Sequence, residues 1–358
     1  KDLLPRTGMK PHHRSLSHLL LGPVLERVVG SEAGLFWTGH AGTLASDLLG
    51  LITTWAIFYL LLIIFYSLFC PLVSAYCSWK YPKAPTSVVP RRLIDNMIQV
   101  SYRAFPLYVT VPMIGDFFRV KGWSQVCDSV DECGGWAPAI AGCVVYFFAI
   151  EFLIFIDHYY FLHKMDAGKR IMKHAFHHVY KYADQLNAYS GYSFAPQDGW
   201  SQGLPLALCT LFIPVPTAFV IAMEVLTGFW TLYIHTDVAP LPWPFMGCDY
   251  HYIHHKYNWY NFGFMTQLFD TLFGTIKHPK ADALDLSHGV LPMPIKELEK
   301  SAVLTEQLLR ARGLTDCADA LKSDLARGGE SGEAETTAAK TPTASMRQRA
   351  VSVSDAKS

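Results

Sequence analysis

Leu48–Cys70 reads LLGLITTWAIFYLLLIIFYSLFC, and no charged residue occurs between Asp47 and Lys80. Roughly 20 apolar residues carry an α-helix across a bilayer core, so this segment is read as a transmembrane helix and the chain as a membrane protein. Ala137–Ile156 is a further span, with Glu151 near its end. Leu93–Ile114 is more polar. Asp95, Gln99 and Arg103 recur every four residues and form one stripe, which must face protein or water rather than lipid. Pro106 and Pro112 kink it, and it reads either as a span or as a partly interfacial helix. Leu204–Ile234 is too long for one straight helix, and Pro214-Val215-Pro216 interrupts it. Two segments folded into a hairpin are expected, so that the chain on either side of it lies on one side of the membrane. The fold class is therefore an all-α, multi-pass transmembrane bundle of about three spans plus a helical hairpin.

Composition agrees. The 358 residues are 51% hydrophobic and 17% charged, and the formal net charge is zero. That balance argues against bulk electrostatic binding to nucleic acid. Residues 1–46 mix Arg, Lys, Glu and His with short apolar runs, read as an N-terminal arm and not as a signal peptide. The first spans occupy 47–136, a histidine-rich segment 137–280, and a soluble helical extension 281–327, in which Glu297–Arg327 reads as one or two surface helices. Gly, Ser, Thr, Ala and charge dominate 328–358, which is read as a disordered tail. Arg347-Gln348-Arg349-Ala350-Val351-Ser352 within it resembles a basophilic kinase acceptor.

Lys80, Lys83, Arg91 and Arg92 flank the first connection, and Lys164, Lys169, Arg170, Lys173 and Lys181 follow the next span. By the excess of Lys and Arg in cytoplasmic loops, both groups are expected on the cytosolic face and residues 115–136 in the lumen. Cys127 and Cys133 lie in that lumenal loop, where they either pair or remain two thiols. The eight cysteines show no C-x-x-C spacing, which argues against a cysteine-based zinc or iron–sulfur site.

Histidine carries the chemistry. Of fifteen, nine fall between His158 and His255. His158 and His163 come first. His174, His177 and His178 spell H-x-x-H-H, His235 stands alone, and His251, His254 and His255 spell H-x-x-H-H again. Neutral imidazole is a ligand for iron, zinc or copper. Residues at i, i+3 and i+4 share one helical face, so each triplet is expected to aim three nitrogens the same way. His158 and His163 share a face only if their helix ends or widens between them. Nine imidazoles exceed what one tetrahedral ion could use, and the count suggests two metal ions. Asp157, Asp237, Asp249 and Asp270 are candidate acceptors for the outer imidazole N–H groups, although Asp270 also reads as part of a helix capped by Gly274. His12, His13, His18, His40, His278 and His288 are read as non-ligands.

An H-x4-H box followed by two H-x-x-H-H boxes among membrane spans resembles the membrane fatty-acid-hydroxylase and sterol-desaturase superfamily. Trp230-Thr-Leu-Tyr-Ile-His235, Trp243-Pro-Phe-Met-Gly247-Cys-Asp-Tyr-His251-Tyr-Ile-His254-His255, Asn261-Phe-Gly263 and Phe269-Asp270 through Phe273-Gly274-Thr275 are similar to the sterol C-5 desaturases (lathosterol oxidases). The likeness spans about residues 137–280. It implies a cytosol-facing di-iron centre in an endoplasmic-reticulum membrane, with His158, His163, His174, His177, His178, His235, His251, His254 and His255 as metal ligands and no catalytic residue beyond them. It further implies O2 as oxidant, electrons from NADH through cytochrome b5 and its reductase, and removal of two hydrogens from the B ring of a Δ7-sterol. Two features depart from the family pattern. The first box has four intervening residues, and Ala195-Pro196-Gln197-Asp198-Gly199 stands where relatives often carry His-Pro-x-Asp-Gly.

The same metal site can yield an alkene or an alcohol, depending on how the substrate is held. A fatty acid or sterol hydroxylase or methyl oxidase of the same superfamily is therefore the alternative. A membrane metal carrier is a more remote one, since a transporter places its ligands near the bilayer midplane and these clusters lie beyond the spans. Tyr189, Tyr192, Phe194 and Trp200 either line a sterol slot or serve as ordinary core and interfacial anchors. The basic residues of 164–181 suit an acidic electron donor or anionic lipid.

Overall fold

The computed structural model describes residues 15–80, 91–180, 186–236 and 241–279, together with Arg310 and Asp319. It divides into Lys1–Leu298 and Glu299–Ser358. In the second unit the Arg310 guanidinium lies 2.6 Å from Asp319. The expected tail, its kinase-like motif, Asp237, Lys181, His12, His13 and His288 lie outside the described residues.

The first unit is helical, with no strand among the described residues beyond two isolated bridges. Helices α1 (Leu16–Val29) and α2 (Ser31–Trp37) precede α3 (Leu44–Lys80), and α4 (Arg91–Tyr108) and α5 (Thr110–Val120) follow. Then come α6 (Trp136–Ile156), α7 (Asp166–Met172), α8 (Pro196–Leu208), α9 (Thr217–Ile234), α10 (Cys248–Tyr257) and α11 (Leu268–Phe273). Three helices among the described residues are long and apolar enough to cross a membrane: α3, α6 with its continuation to Leu162, and α9. Away from the interior they carry exposed Leu60, Leu68, Ile140, Val144 and Leu226, as expected where the surrounding solvent is hydrocarbon.

The region 93–114 resolves into two helices that separate at Val109. Leu93, Met97, Ser101, Ala104 and Phe105 are buried, while Gln99 and Arg103 are exposed and Asp95 is half-buried. The polar stripe faces outward because the opposite face supplies the packing. The expected hairpin is present. Helix α8 and a 3₁₀ turn at Cys209–Leu211 lead to Pro214-Val215-Pro216, after which α9 returns. Its tip is tied to the 121–135 loop: the Gln125 N–H donates to the Thr210 carbonyl (2.7 Å), and the Thr217 N–H to the Cys127 carbonyl (2.9 Å). Cys127 and Cys133 form a disulfide in that loop. Gly142 of α6 sits so close to the Pro214 carbonyl that no Cβ could be accommodated.

These contacts fix the direction of each helix. The N-terminus of α9 lies at the hairpin tip and its C-terminus at His235. Phe65 in α3 packs against Tyr192 and Phe229, and the Cys70 thiol reaches the Ala188 carbonyl at 3.7 Å, so α3 also runs toward the histidine end. Among the described residues two clusters hold the bundle. Tyr66, Cys70, Phe105, Ala188 and Leu232 join α3 and α4 to α9. Val126, Tyr146, Ile150, Leu206, Val215, Met223 and Met265 join α6 to the hairpin. The Tyr146 hydroxyl donates to the Leu206 carbonyl at 2.7 Å, which satisfies the one polar atom this ring brings into the core.

Candidate metal centre

At the common end of α6, α8 and α9 all nine histidines singled out above converge in two groups. His158, His163, His174, His178 and His254 form one; His177, His235, His251 and His255 form the other. Within each group the ring nitrogens lie within 4.8 Å of one another.

The path of the backbone explains the grouping. Beyond Ile156 the helix widens into a π-helix, Asp157–Leu162. Its hydrogen bonds run from i to i+5, so residues five apart stack, and the His158 and His163 rings lie 5.1 Å apart. The chain then turns into α7. Gly168 packs directly on the Phe161 carbonyl, where a Cβ would not fit. Lys173 takes the left-handed conformation (φ 59°) to end α7 and start the 3₁₀ turn His174–Phe176.

The expectation that each triplet points one way is corrected. His174 and His178 enter the first group and His177 the second, while His251 and His255 enter the second and His254 the first. Helical geometry gives the reason for the second triplet. At about 100° per residue, positions four apart differ by about 40°, but His254 and His255 diverge by about 100°. The first triplet, on a tight turn rather than an α-helix, splits likewise. Each group therefore takes imidazoles from both motifs.

The outer nitrogens orient the rings. The Nδ1–H of His158 donates to the Phe262 carbonyl (2.8 Å), that of His254 to the Tyr260 carbonyl (2.8 Å) and that of His235 to the Thr231 carbonyl (2.7 Å). His174 Nδ1 donates to the buried Asp198 carboxylate at 2.8 Å. A neutral ring that donates through Nδ1 presents a lone pair at Nε2. Yet these Nε2 atoms crowd together: His158 to His174 is 3.2 Å and His178 to His174 is 2.9 Å. In the other group His235 lies 3.0 Å from both His177 and His251. Lone pairs so placed repel unless a cation lies between them. Metal–nitrogen bonds of about 2.0–2.1 Å imply ligand separations of about 2.9 Å at right angles and about 3.4 Å at tetrahedral angles. The donor set therefore fits transition-metal ions. His163 Nε2 is buried without a hydrogen-bond partner, as a waiting ligand would be.

Burial, reinforced by neighbouring imidazoles, holds His163, His177, His178, His251, His254 and His255 well below the ordinary imidazole range. His235 is lowered to about 4 by burial. The rings are thereby kept neutral, the form that ligates.

Of the expected carboxylate acceptors, none of the described ones bonds an imidazole. Asp157 accepts from the Ser201 hydroxyl at 3.0 Å. Asp270 accepts the Phe262 and Gly263 N–H groups at 2.8 and 2.7 Å and the Thr275 hydroxyl at 2.6 Å. It thus supports the loop whose carbonyls orient His158 and His254. Asp249 lies in the first turn of α10, beside Gly247. Glu151 also holds that loop, accepting from Met265 and Thr266 N–H at 3.0 and 2.8 Å. The acceptor missed from sequence is Asp198, in the Ala195–Gly199 segment. His18 and His40 bond to Thr38 and Ser15 and His278 to Tyr250, apart from both groups.

A cavity of about 810 Å³ opens onto both groups, with His158, His174, His177, His235 and His251 in its wall. Most of the remaining lining is apolar and aromatic, from α3, α5, α8 and α9. Tyr192 and Phe194 line it, and Phe194 stacks on His177 at 3.8 Å. Tyr189 instead packs against Tyr66, and the Trp200 indole donates to Thr110.

The fold and site define a helical membrane protein with a buried polyhistidine metal centre facing a large apolar cavity. Residues 143–275 match the family model described as fatty acid hydroxylase. The Delta(7)-sterol-C5(6)-desaturase of Nicotiana tabacum is 28% identical over 210 residues, 57% of this chain and 76% of that one. The putative Delta(7)-sterol-C5(6)-desaturase 2 of Arabidopsis thaliana is 29% identical over 199 residues, 55% and 69% of the two chains. The lathosterol oxidase of Mus musculus is 27% identical over 219 residues, 60% and 71%. No solved structure matches the chain significantly. Residues 143–275 are thus similar to the fatty acid hydroxylase family, and the relatives are named as desaturases and oxidases.

Proposed function

We propose that the protein introduces the C5–C6 double bond into a Δ7-sterol, using O2 and electrons delivered from NADH through cytochrome b5 and its reductase. The observation that carries this reading is the continuity of the apolar cavity with both histidine groups. About 810 Å³ lies within the range of pockets that enclose a small lipid. The names of the curated relatives supply the regiochemistry.

The nine histidines would hold two iron ions, one in each group, and the bound metal would supply O2 activation and the oxidant for an unactivated C–H bond. The protein's own part is orientation and exclusion. The carbonyls of Phe262, Tyr260 and Thr231 and the Asp198 carboxylate hold four imidazoles in one tautomer. Apolar walls keep water from the reacting face. The cavity fixes which two hydrogens approach the site, and this positioning decides between an alkene and an alcohol.

An endoplasmic-reticulum location with the histidines toward the cytosol is the matching topology. Lys80 ends α3 at the histidine end, and Lys164, Lys169, Arg170 and Lys173 are exposed around α7. The disulfide sits in the loop at the opposite end, which suits an oxidising lumen. The exposed basic residues suit docking of an acidic electron donor.

The test is expression in a yeast strain lacking its own sterol C-5 desaturase, followed by sterol analysis. Δ5,7-sterols should accumulate. Unchanged Δ7-sterols in cells holding the iron-loaded protein would overturn the reading.

A further inference from the structure

We propose that the cavity carries a second, polar subsite, built around Glu224, that takes a hydroxyl group at the end of the substrate remote from the reacting carbon. The inference rests on the C5-desaturation reading for the substrate's orientation. Glu224 is the only charged residue of 204–234 and lies within a membrane-crossing helix. An ionisable side chain at such depth is costly and marks a functional position. It stands in the cavity wall with Asp116, Arg119 and Thr217. Among the described residues its carboxylate has no hydrogen-bond or ion-pair partner, and Asp116 is near enough to repel it.

The neighbours define the ligand. The Arg119 guanidinium is shared between Asp116 at 3.1 Å and Asp128 at 3.5 Å. Asp116 and Asp128 already share the Arg119 guanidinium, and Asp116 repels Glu224, so an anionic group such as a fatty-acid carboxylate is disfavoured beside Glu224. A hydroxyl suits the position in either protonation state, donating to a carboxylate or accepting from a carboxylic acid. Glu224 and His235 are separated by eleven residues of one helix, about 16 Å along its axis. A sterol whose C5 lies at the histidines keeps its ring hydroxyl at that end and sends its side chain down the cavity toward Glu224. The preferred substrate is therefore a Δ7-sterol hydroxylated at the end of its side chain.

The test compares kcat/KM of the full-length, iron-loaded enzyme for a Δ7-sterol with and without a terminal side-chain hydroxyl. The wild type should favour the hydroxylated sterol roughly tenfold, the size expected of one charge-assisted hydrogen bond. Glu224→Leu should bring the ratio to about one and Glu224→Gln to an intermediate value. Iron content verifies that each variant is folded, and Glu224→Gln decides alone if Glu224→Leu fails to load. A wild type without preference, or a preference undiminished in the folded variants, overturns the subsite. Mass-spectrometric location of the new double bond is read separately. Oxidation outside the B ring would overturn the C5 reading, while the kcat/KM ratio still decides on Glu224.

Discussion

Asp198 and His174, 24 residues apart in sequence, meet at 2.8 Å with both side chains shut off from solvent. The carboxylate comes from the first turn of α8 and the imidazole from the 3₁₀ turn after α7. Gln202 donates to the same carboxylate at 2.8 Å, so its position is fixed from its own helix. Outer partners of this kind typically contribute 10–100-fold to metal affinity. Asp198→Asn should lower iron affinity within that range, measured by titration of the metal-free protein. Wild-type affinity in the variant would remove Asp198 from this role.

The proposed function places one ion in each group. Elemental analysis of purified protein should return close to two irons, and His254→Ala should abolish turnover while the protein remains inserted. One iron per chain in fully active material would contradict the grouping, and retained activity in His254→Ala would contradict the ligand set.

Asp270 acts at one remove. Its carboxylate receives two backbone N–H groups and one hydroxyl, all buried. Asp270→Ala leaves those donors unmatched, at about 1–3 kcal/mol each before relaxation. A lower melting temperature in detergent is expected, with reduced iron retention, because the Phe262 and Tyr260 carbonyls lose their support. Unchanged melting would show that the loop is held by Glu151 alone.

Gly142 tests the helix–hairpin contact. Gly142→Val places a branched side chain against the Pro214 carbonyl and forces α6 from the hairpin tip. Overpacking of this kind costs about 1–3 kcal/mol or more. The variant should melt lower than Gly142→Ala, which in turn should melt lower than the wild type. Equal thermal stability across the three would show that this approach is not tight in solution.

The spans, the hairpin and all nine histidines were legible in the sequence because hydropathy and residue type report them directly. The π-turn was legible only as a condition, since i, i+5 histidines share a face solely when the helix widens. The division of each triplet could have been read from helical angles, as His254 and His255 cannot point the same way on α10. The supports were harder to read. Phe262 and Tyr260 act through backbone carbonyls, which leave no mark on residue identity. Asp270 looked like an imidazole acceptor because it is acidic and near the motifs, but it serves the backbone two links away. Asp198 carries a signal in Ala195-Pro196-Gln197-Asp198-Gly199, the segment in which the alanine departs from the family pattern and the aspartate keeps to it.

Because both H-x-x-H-H motifs contribute to both nests of imidazoles, neither motif is a half-centre. A forerunner with a single copy could have completed neither nest. The complete centre requires the whole intervening hairpin, and any recombination that separates residues 174–178 from 251–255 takes at least one imidazole from each nest at once.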